Sequence, residues 1–451
     1  MMDRSTNKDR FFVLLYAFFL YFITGAACVL IGTIMPQLME LLQGTSIERL
    51  SILGSAYAFG RLATVYLSGR LAERLPLKQI YAAGLLFCFV FLAALSMSQS
   101  YSILLIAAIF GGISMGTQDC LCPLLLSKVF GKAYASSLSA GQAVFACGTM
   151  VAPFLIGLSL NLNLDWRLCF YLLMLLIVVV LLSLPFTELK QLKTQDASGD
   201  KEGLIQDAKA LSLKMEETQE ELEALEVQET PEKQETPEKQ NHKAQEQAQK
   251  TNKLPALGAR NKLMVYLGIA GCIATLSCVS SCIMLYTTSF GQDRGLDLAQ
   301  ATFLFTLYNI GCLLGDLCFT ALLRRFQAHK LLPLCYLPAA AVLGLCLLLD
   351  SKLGYFISLF YLGLSLGALF SLLLGIATRL HTSRISVSSS LIAMTSGCAD
   401  LLTPVLCGLL VGALGLSFSY KFIFIALIVG GVFAFILKQS CYEEGTGSCA
   451  S

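Results

Sequence analysis

Apolar residues along this chain come in long unbroken runs, not in the one-sided or alternating stripes of a soluble fold. Cutting those runs at charged residues and at Pro/Gly breaks gives twelve helical segments. In the first half they cover roughly 11–39, 48–72, 79–99, 101–127, 134–160 and 166–186. In the second half they cover roughly 263–290, 298–322, 331–349, 354–378, 385–414 and 417–437. A helix needs about 20 apolar residues to cross a bilayer, and most of these segments reach that length. The first run, Phe11 to Met39, holds no charge. It is too long for the apolar region of a cleaved signal peptide and has no convincing cleavage site, so it is expected to stay as a span. The pattern predicts an all-α membrane protein of twelve transmembrane helices in two six-helix bundles. Residues 1–187 form the first bundle and 260–438 the second, with a linker at 188–259 and a cytoplasmic tail at 439–451.

Composition agrees with the pattern. The chain is 56% hydrophobic and 14% charged, with a mean hydropathy of +0.69, whereas a soluble domain carries about a quarter charged residues. The segment from Glu188 to Lys253 takes sixteen acids and ten lysines for itself and repeats the hexad Glu229-Thr-Pro-Glu-Lys-Gln at Glu235. It cannot bury enough apolar surface to offset ordering, so a largely disordered cytoplasmic tether is expected, with a short charged helix at 204–225. Short loops on one side of the spans hold fourteen Lys/Arg, against five on the other (Arg49, Arg167, Arg294, Lys352, Lys421). That bias puts both termini in the cytoplasm. The net charge of +2 points to no nucleic acid. Seventeen cysteines lie mostly inside apolar runs, where they pack as small apolar residues. Cys120-x-Cys122 and Cys278-xxx-Cys282 lack further ligands, so no metal site is expected, and no cofactor. There is no G-x-x-x-x-G-K-[ST] loop for an ATP-driven pump and no nucleophile–base set for an enzyme.

The two halves repeat. A shift of 251 residues brings Gly60 onto Gly311, Leu62 onto Leu313, Arg74 onto Arg325, Lys128 onto Arg379, Pro153 onto Pro404 and Gly157 onto Gly408. Two six-span copies in one orientation imply a pseudo-two-fold axis along the membrane normal, with the solute site between them near the midplane. After the second span the chain reads Gly69-Arg-Leu-Ala-Glu73-Arg74-Leu-Pro-Leu-Lys78. This resembles the loop signature of the major facilitator superfamily, with Glu73 in place of Asp and Pro76 in place of the second Gly. The resemblance implies a cytoplasmic gate built on Gly69, Glu73, Arg74 and Lys78; a basic loop that merely sets topology explains Arg74 and Lys78 equally well. Gly148-Thr-Met-Val-Ala-Pro153-Phe-Leu-Ile-Gly157 is similar to the family's antiporter motif, and with Pro404 and Gly408 it marks hinge candidates. Gly60-Arg61-Leu62 with Asp119-xxx-Pro123 resembles a little-characterised bacterial branch of the family. The resemblance implies a secondary transporter in a bacterial inner membrane, working by alternating access, expected as a monomer.

Four charges lie deep in spans: Arg61, Asp119, Asp316 and Asp400. Each costs about 2.5–3.5 kcal/mol unless it finds a partner or a watery cavity. In the family's fold all four fall on cavity or interface helices, spans 2, 4, 8 and 11. Three acids share one base, and burial disfavours the charged form of a carboxyl, so an acid without a fixed cation can carry a coupling proton. Asp119 is the preferred carrier and Asp316 and Asp400 the other candidates. A fixed Arg61–Asp119 bridge and a rocking Arg61–Asp400 bridge stay open. Asn309 lies seven residues before Asp316 on the same face. Substrate contacts are sought among Arg61, Gln118, Tyr21, Thr24, Tyr57, Gln142, Tyr286, Tyr308 and Asn309. The leading function is a proton-coupled carrier of a small organic solute. A drug/proton antiporter is the runner-up, and a carrier-derived sensor or scaffold using the linker is the reading from another class.

Overall fold

A computed structural model describes residues 3–43, 45–74, 76–130, 134–186, 259–322, 328–367, 369, 372, 373, 376 and 385–447. The linker, the tail after 447 and the side chains of Glu73 and Arg74 lie outside the described residues, as do the calls made on them. Every described element is helical. The first apolar run breaks into α1 (Asp3–Cys28), α2 (Leu30–Thr33) and α3 (Met35–Leu41), with Pro36 in the first turn of α3. Proline there lacks the N–H that would continue α2. Five more helices complete the first half: α4 (Ile47–Arg74), α5 (Leu77–Met97), α6 (Tyr101–Phe130), α7 (Tyr134–Asn161) and α8 (Leu168–Ser183). The second half holds α9 (Ala259–Asp293), α10 (Leu298–Leu322), α11 (Ala328–Leu349), α12 (Lys352–Leu366), α13 (Ile385–Leu414) and α14 (Phe418–Gly447). Among the described residues nine segments are long and apolar enough to cross a membrane. Of the rest, α8 and α12 are apolar but shorter, and α4 carries Arg61 at mid-length.

Burial sorts the helices into an inner and an outer set. α8 and α14 expose rows of large apolar side chains, among them Leu175, Val179 and Leu182, and Ile425, Val432 and Phe435. α5 and α11 do the same with Leu86, Val90, Leu334 and Leu345. In contrast, Tyr21, Ile23, Val279 and Tyr286 of α1 and α9 are fully enclosed. The chain runs up and down in each half: Tyr16 of α1 pairs with Ser183 at the end of α8, and Gly268 of α9 abuts Leu437 of α14. One face therefore carries the start of α1 and the end of α14; the opposite one is called the far face.

The repeat is visible at atomic level in its glycines. On the α4–α6 contact Gly60 faces the Ile109 carbonyl, Gly112 the Tyr57 carbonyl and Gly116 the Arg61 carbonyl. On the α10–α12 contact Gly311 faces the Phe360 carbonyl, Gly363 that of Tyr308 and Gly367 that of Cys312. Each member of the second set lies 251 residues beyond its partner in the first. Small residues at these positions let the backbones touch, which supplies the dispersion contact that holds helices together in lipid. The seam between halves obeys the same operator. Gly157 of α7 meets Thr302 of α10, and Gly408 of α13 meets Ser51 of α4, so the shift exchanges one contact for the other.

At the far end of the second half a polar clamp ties four helices. Arg294 donates from Nη1 to both carboxyl oxygens of Asp350 at 3.0 and 2.9 Å, and from Nη2 to Ser417 at 2.5 Å. Its guanidinium also covers the Phe290 ring, which stacks on Tyr420 at 3.7 Å. Tyr355 donates to the same carboxylate. Asp350 is more than half exposed, so the pair is screened. Arg294→Ala is expected to cost about 1 kcal/mol, seen as a lower midpoint of thermal unfolding in detergent with solute handling unchanged.

Candidate functional site

The α4–α6 glycines set the site. A side chain at Gly112 would strike the Tyr57 carbonyl and the Arg61 amide, so α6 runs directly against the backbone that carries Arg61. Asp119, seven residues past Gly112 and on the same face of α6, is thereby delivered to the guanidinium. Arg61 Nε donates to Asp119 Oδ2 at 2.7 Å. Its Nη1 reaches across the seam to Asp400 Oδ2 on α13 at 3.5 Å. Asp400 accepts two further hydrogen bonds, from Ser281 Oγ of α9 at 2.9 Å and Ser396 Oγ at 3.4 Å, and Ser396 is joined to Ser277 at 2.9 Å. The three charged side chains are 37%, 23% and 20% exposed, on three helices, α4, α6 and α13, that meet at the seam. They border an open crevice within the protein.

The crevice has a floor. Toward the far face the seam is shut: Gly412 lies against Glu48, Gly408 against Ser51 and Pro404 against Gly54. Ser55 donates to the Leu401 carbonyl at 2.7 Å. Gly32 of α2 presses on Met284 and Leu285 of α9. On the other seam Gly157 meets Thr302, and Thr149 donates to Asn309 Oδ1 at 2.9 Å. The α4–α13 contact continues past the cluster to Gly397, which meets the Leu62 side chain. Met394, one turn before Gly397, is 65% exposed. Gln142, seven residues before Thr149 on α7, and Asp316, seven after Asn309 on α10, are both exposed. The crevice thus opens on the face that carries the termini and is closed at the far face, with the Arg61 cluster near its inner end.

The remaining sequence candidates divide by burial. Thr24 and Gln118 bond to each other at 3.2 Å and are buried inside the first half. Tyr57 packs on Phe91, and its hydroxyl has no hydrogen-bond partner among the described residues. Tyr21 fills the space over Gly141, and Tyr308 is buried against Gly363. Tyr286, sought as a cavity residue, is fully enclosed in the shut seam because Ser51 accepts its proton at 2.7 Å. Asp316 of α10 is exposed. Gly148 meets the Phe22 carbonyl of α1, and Gly157 and Gly408 sit on the seam, so the hinge candidates are positions of close helix approach. Pro153 and Pro404 lie within unbroken helices. Lys78 lies in the first turn of α5. Sequence reading missed Ser277, Ser281 and Ser396. The signal was there: 277/281 and 396/400 are four apart, so each pair shares a helix face.

Comparison with known proteins places this geometry. The family model of the Major Facilitator Superfamily matches residues 17–404. The uncharacterised MFS-type transporter YfkL of Bacillus subtilis (strain 168) is 22% identical over 436 residues, covering 95% of this chain and 96% of that one. Among solved structures, a D-xylose–proton symporter is similar at a TM-score of 0.63 and 15% identity, over 94% of this chain and 97% of the other. A peptide transporter POT in complex with sulfate is similar at 0.67 and 15% identity, over 95% and 94%.

Proposed function

Because this chain belongs to the Major Facilitator Superfamily, a family of secondary transporters, we propose that it moves a small organic solute by alternating access, coupled to protons through Asp400. One observation carries the reading: a single guanidinium is shared between an acid of its own half at 2.7 Å and an acid of the other half at 3.5 Å. The short bond belongs to the first half and travels with it. The long one spans the seam, between the Gly54–Pro404 and Leu62–Gly397 contacts, so it must change whenever the halves rock. Protonating Asp400 removes the attraction across the seam and leaves Arg61 paired with Asp119. That favours Asp400 over Asp119 as the group that reports proton occupancy to the conformation, since a ligand shifts an equilibrium only through what differs between the two states. Asp316, exposed on α10, is suited to proton entry.

The excess of Lys/Arg in the loops on the terminal side makes that face cytoplasmic and the far face external. In this orientation the carrier is open inward, in a bacterial inner membrane. Each chain holds both halves and the complete seam, so it works as a monomer. The test uses purified protein in proteoliposomes and a panel of labelled metabolites. For the solute that is carried, Asp400→Asn abolishes accumulation driven by a pH gradient, while Asp119→Asn slows it and keeps its dependence on the gradient. Unchanged gradient-driven accumulation in Asp400→Asn would remove Asp400 from the coupling role.

A further inference from the structure

The net charge of the cluster decides what can travel with the proton. One guanidinium faces two carboxylates, so the empty site carries one uncompensated negative charge. Among the described residues no second Lys or Arg lies at this depth; Lys421 and Lys438 of α14 stand near its two ends. The other groups turned toward Asp400 are neutral: Ser281 and the Cys278 thiol from α9, Ser396 from its own helix, and Tyr57 beyond Arg61 on α4. An uncompensated charge sealed inside the occluded intermediate slows passage by roughly a hundredfold or more. The empty carrier is therefore held back. A proton on Asp400 neutralises the cluster, and so does a bound monocation, but both together leave a surplus positive charge.

An anion arriving with a proton gives a different balance. The loaded site would carry the same net charge as the empty one, and the carrier with a proton alone would be neutral and would cross fastest. Such a site leaks protons. The charges match exchange and do not match symport of an anion. Asp400 keeps 20% of its side chain exposed beside two neutral hydroxyls, and the guanidinium it shares is already engaged by Asp119 at 2.7 Å.

Resting on the transport reading above, we propose that the solute is an organic monocation and that it and one proton take turns on Asp400, so that the protein exchanges cation for proton. The test uses the full chain in weakly buffered detergent, with ethidium and tetraphenylphosphonium as monocations, benzoate as an anion and xylose as a neutral probe. On the acid side of the transition, where Asp400 holds its proton before the cation arrives, a monocation is expected to release about one proton per protein as it binds. Its Kd is expected to rise about tenfold for each pH unit on the acid side of the transition. Asp400→Asn loses both the proton release and the binding; Ser281→Ala, which keeps the carboxylate, weakens binding several-fold and retains the release. Thermal unfolding of both variants shows that they are folded. Cation binding without proton release, or equally tight in Asp400→Asn, overturns the exchange. Proton uptake on adding benzoate or xylose, lost in Asp400→Asn, overturns the cation assignment and leaves proton-coupled transport standing. Absence of any proton-linked response to all four probes, with Asp400→Asn indistinguishable from the parent, overturns both.

Discussion

Gly112→Val is expected to prevent recovery of monodisperse protein. A Cβ at residue 112 would fall on the carbonyl oxygen of Tyr57 and the amide nitrogen of Arg61. Both are backbone atoms of α4, so no rotamer change relieves the clash, and α4 must move away from α6 as a whole. That separation strips the longest helix contact of the first half and pulls Arg61 from Asp119, a loss of about 4 kcal/mol or more for the larger side chain. The pseudo-symmetry supplies a twin. Gly363→Val strikes the Tyr308 carbonyl and the Cys312 amide, 251 residues on, and is expected to fail equally. Gly354→Ala is the control, since its Cβ would meet only the Cys346 and Ser351 side chains at 3.3 and 3.5 Å. Size-exclusion profile and thermal midpoint read all three. Recovery of Gly112→Val with the parent's midpoint would show that α4 and α6 are not in backbone contact.

Those glycines also show why so much of the architecture was legible. A chain crossing a bilayer must bond every backbone group internally, so spans announce themselves as uninterrupted apolar runs. Several predicted and observed helices accordingly agree to within a few residues, as with 134–160 against Tyr134–Asn161. The run 11–39, in contrast, is split into α1, α2 and α3, the segment 354–378 is described as a helix only over Lys352–Leu366, and the last helix continues past 437 to Gly447. The offset of 251 was readable because glycines at helix contacts and prolines inside spans resist substitution by bulk. The deep charges were readable too, since an ion in an apolar run is conspicuous. Their partners were not. Arg61 and Asp119 are 58 residues apart, and Arg61 and Asp400 are 339 apart, so which acid meets the guanidinium depends on helix rotation and on how far the halves have rocked. Ser277, Ser281 and Ser396 went unnoticed because small hydroxyl residues are ordinary packing in spans. Asp316 shares a face with Asn309, as its spacing foretold. Yet Asp316 is exposed while Asn309 bonds across the seam to Thr149.

Removing the shared guanidinium should hurt more than removing either acid. In Arg61→Met, Asp119 loses its 2.7 Å partner and Asp400 its link across the seam, and two carboxylates are left facing each other with no cation between them. Breaking a fully buried pair costs about 3–5 kcal/mol. The side chains here keep 20–37% exposure, and water in the crevice screens what is left, so about 2–3 kcal/mol is the reasonable expectation. Arg61→Met should therefore unfold at a clearly lower temperature than the parent and carry no solute. Neutralising the orphaned acid should repair the fold and not the function: Arg61→Met with Asp119→Asn regains most of the lost midpoint and stays inactive. Arg61→Lys separates charge from geometry. An ammonium keeps the charge but has no planar fork with which to serve Asp119 from Nε and Asp400 from Nη1 at once. It should hold the midpoint within about 1 kcal/mol of the parent while exchange falls tenfold or more. Exchange at the parent's rate in Arg61→Lys would mean that simultaneous engagement of the two acids is dispensable.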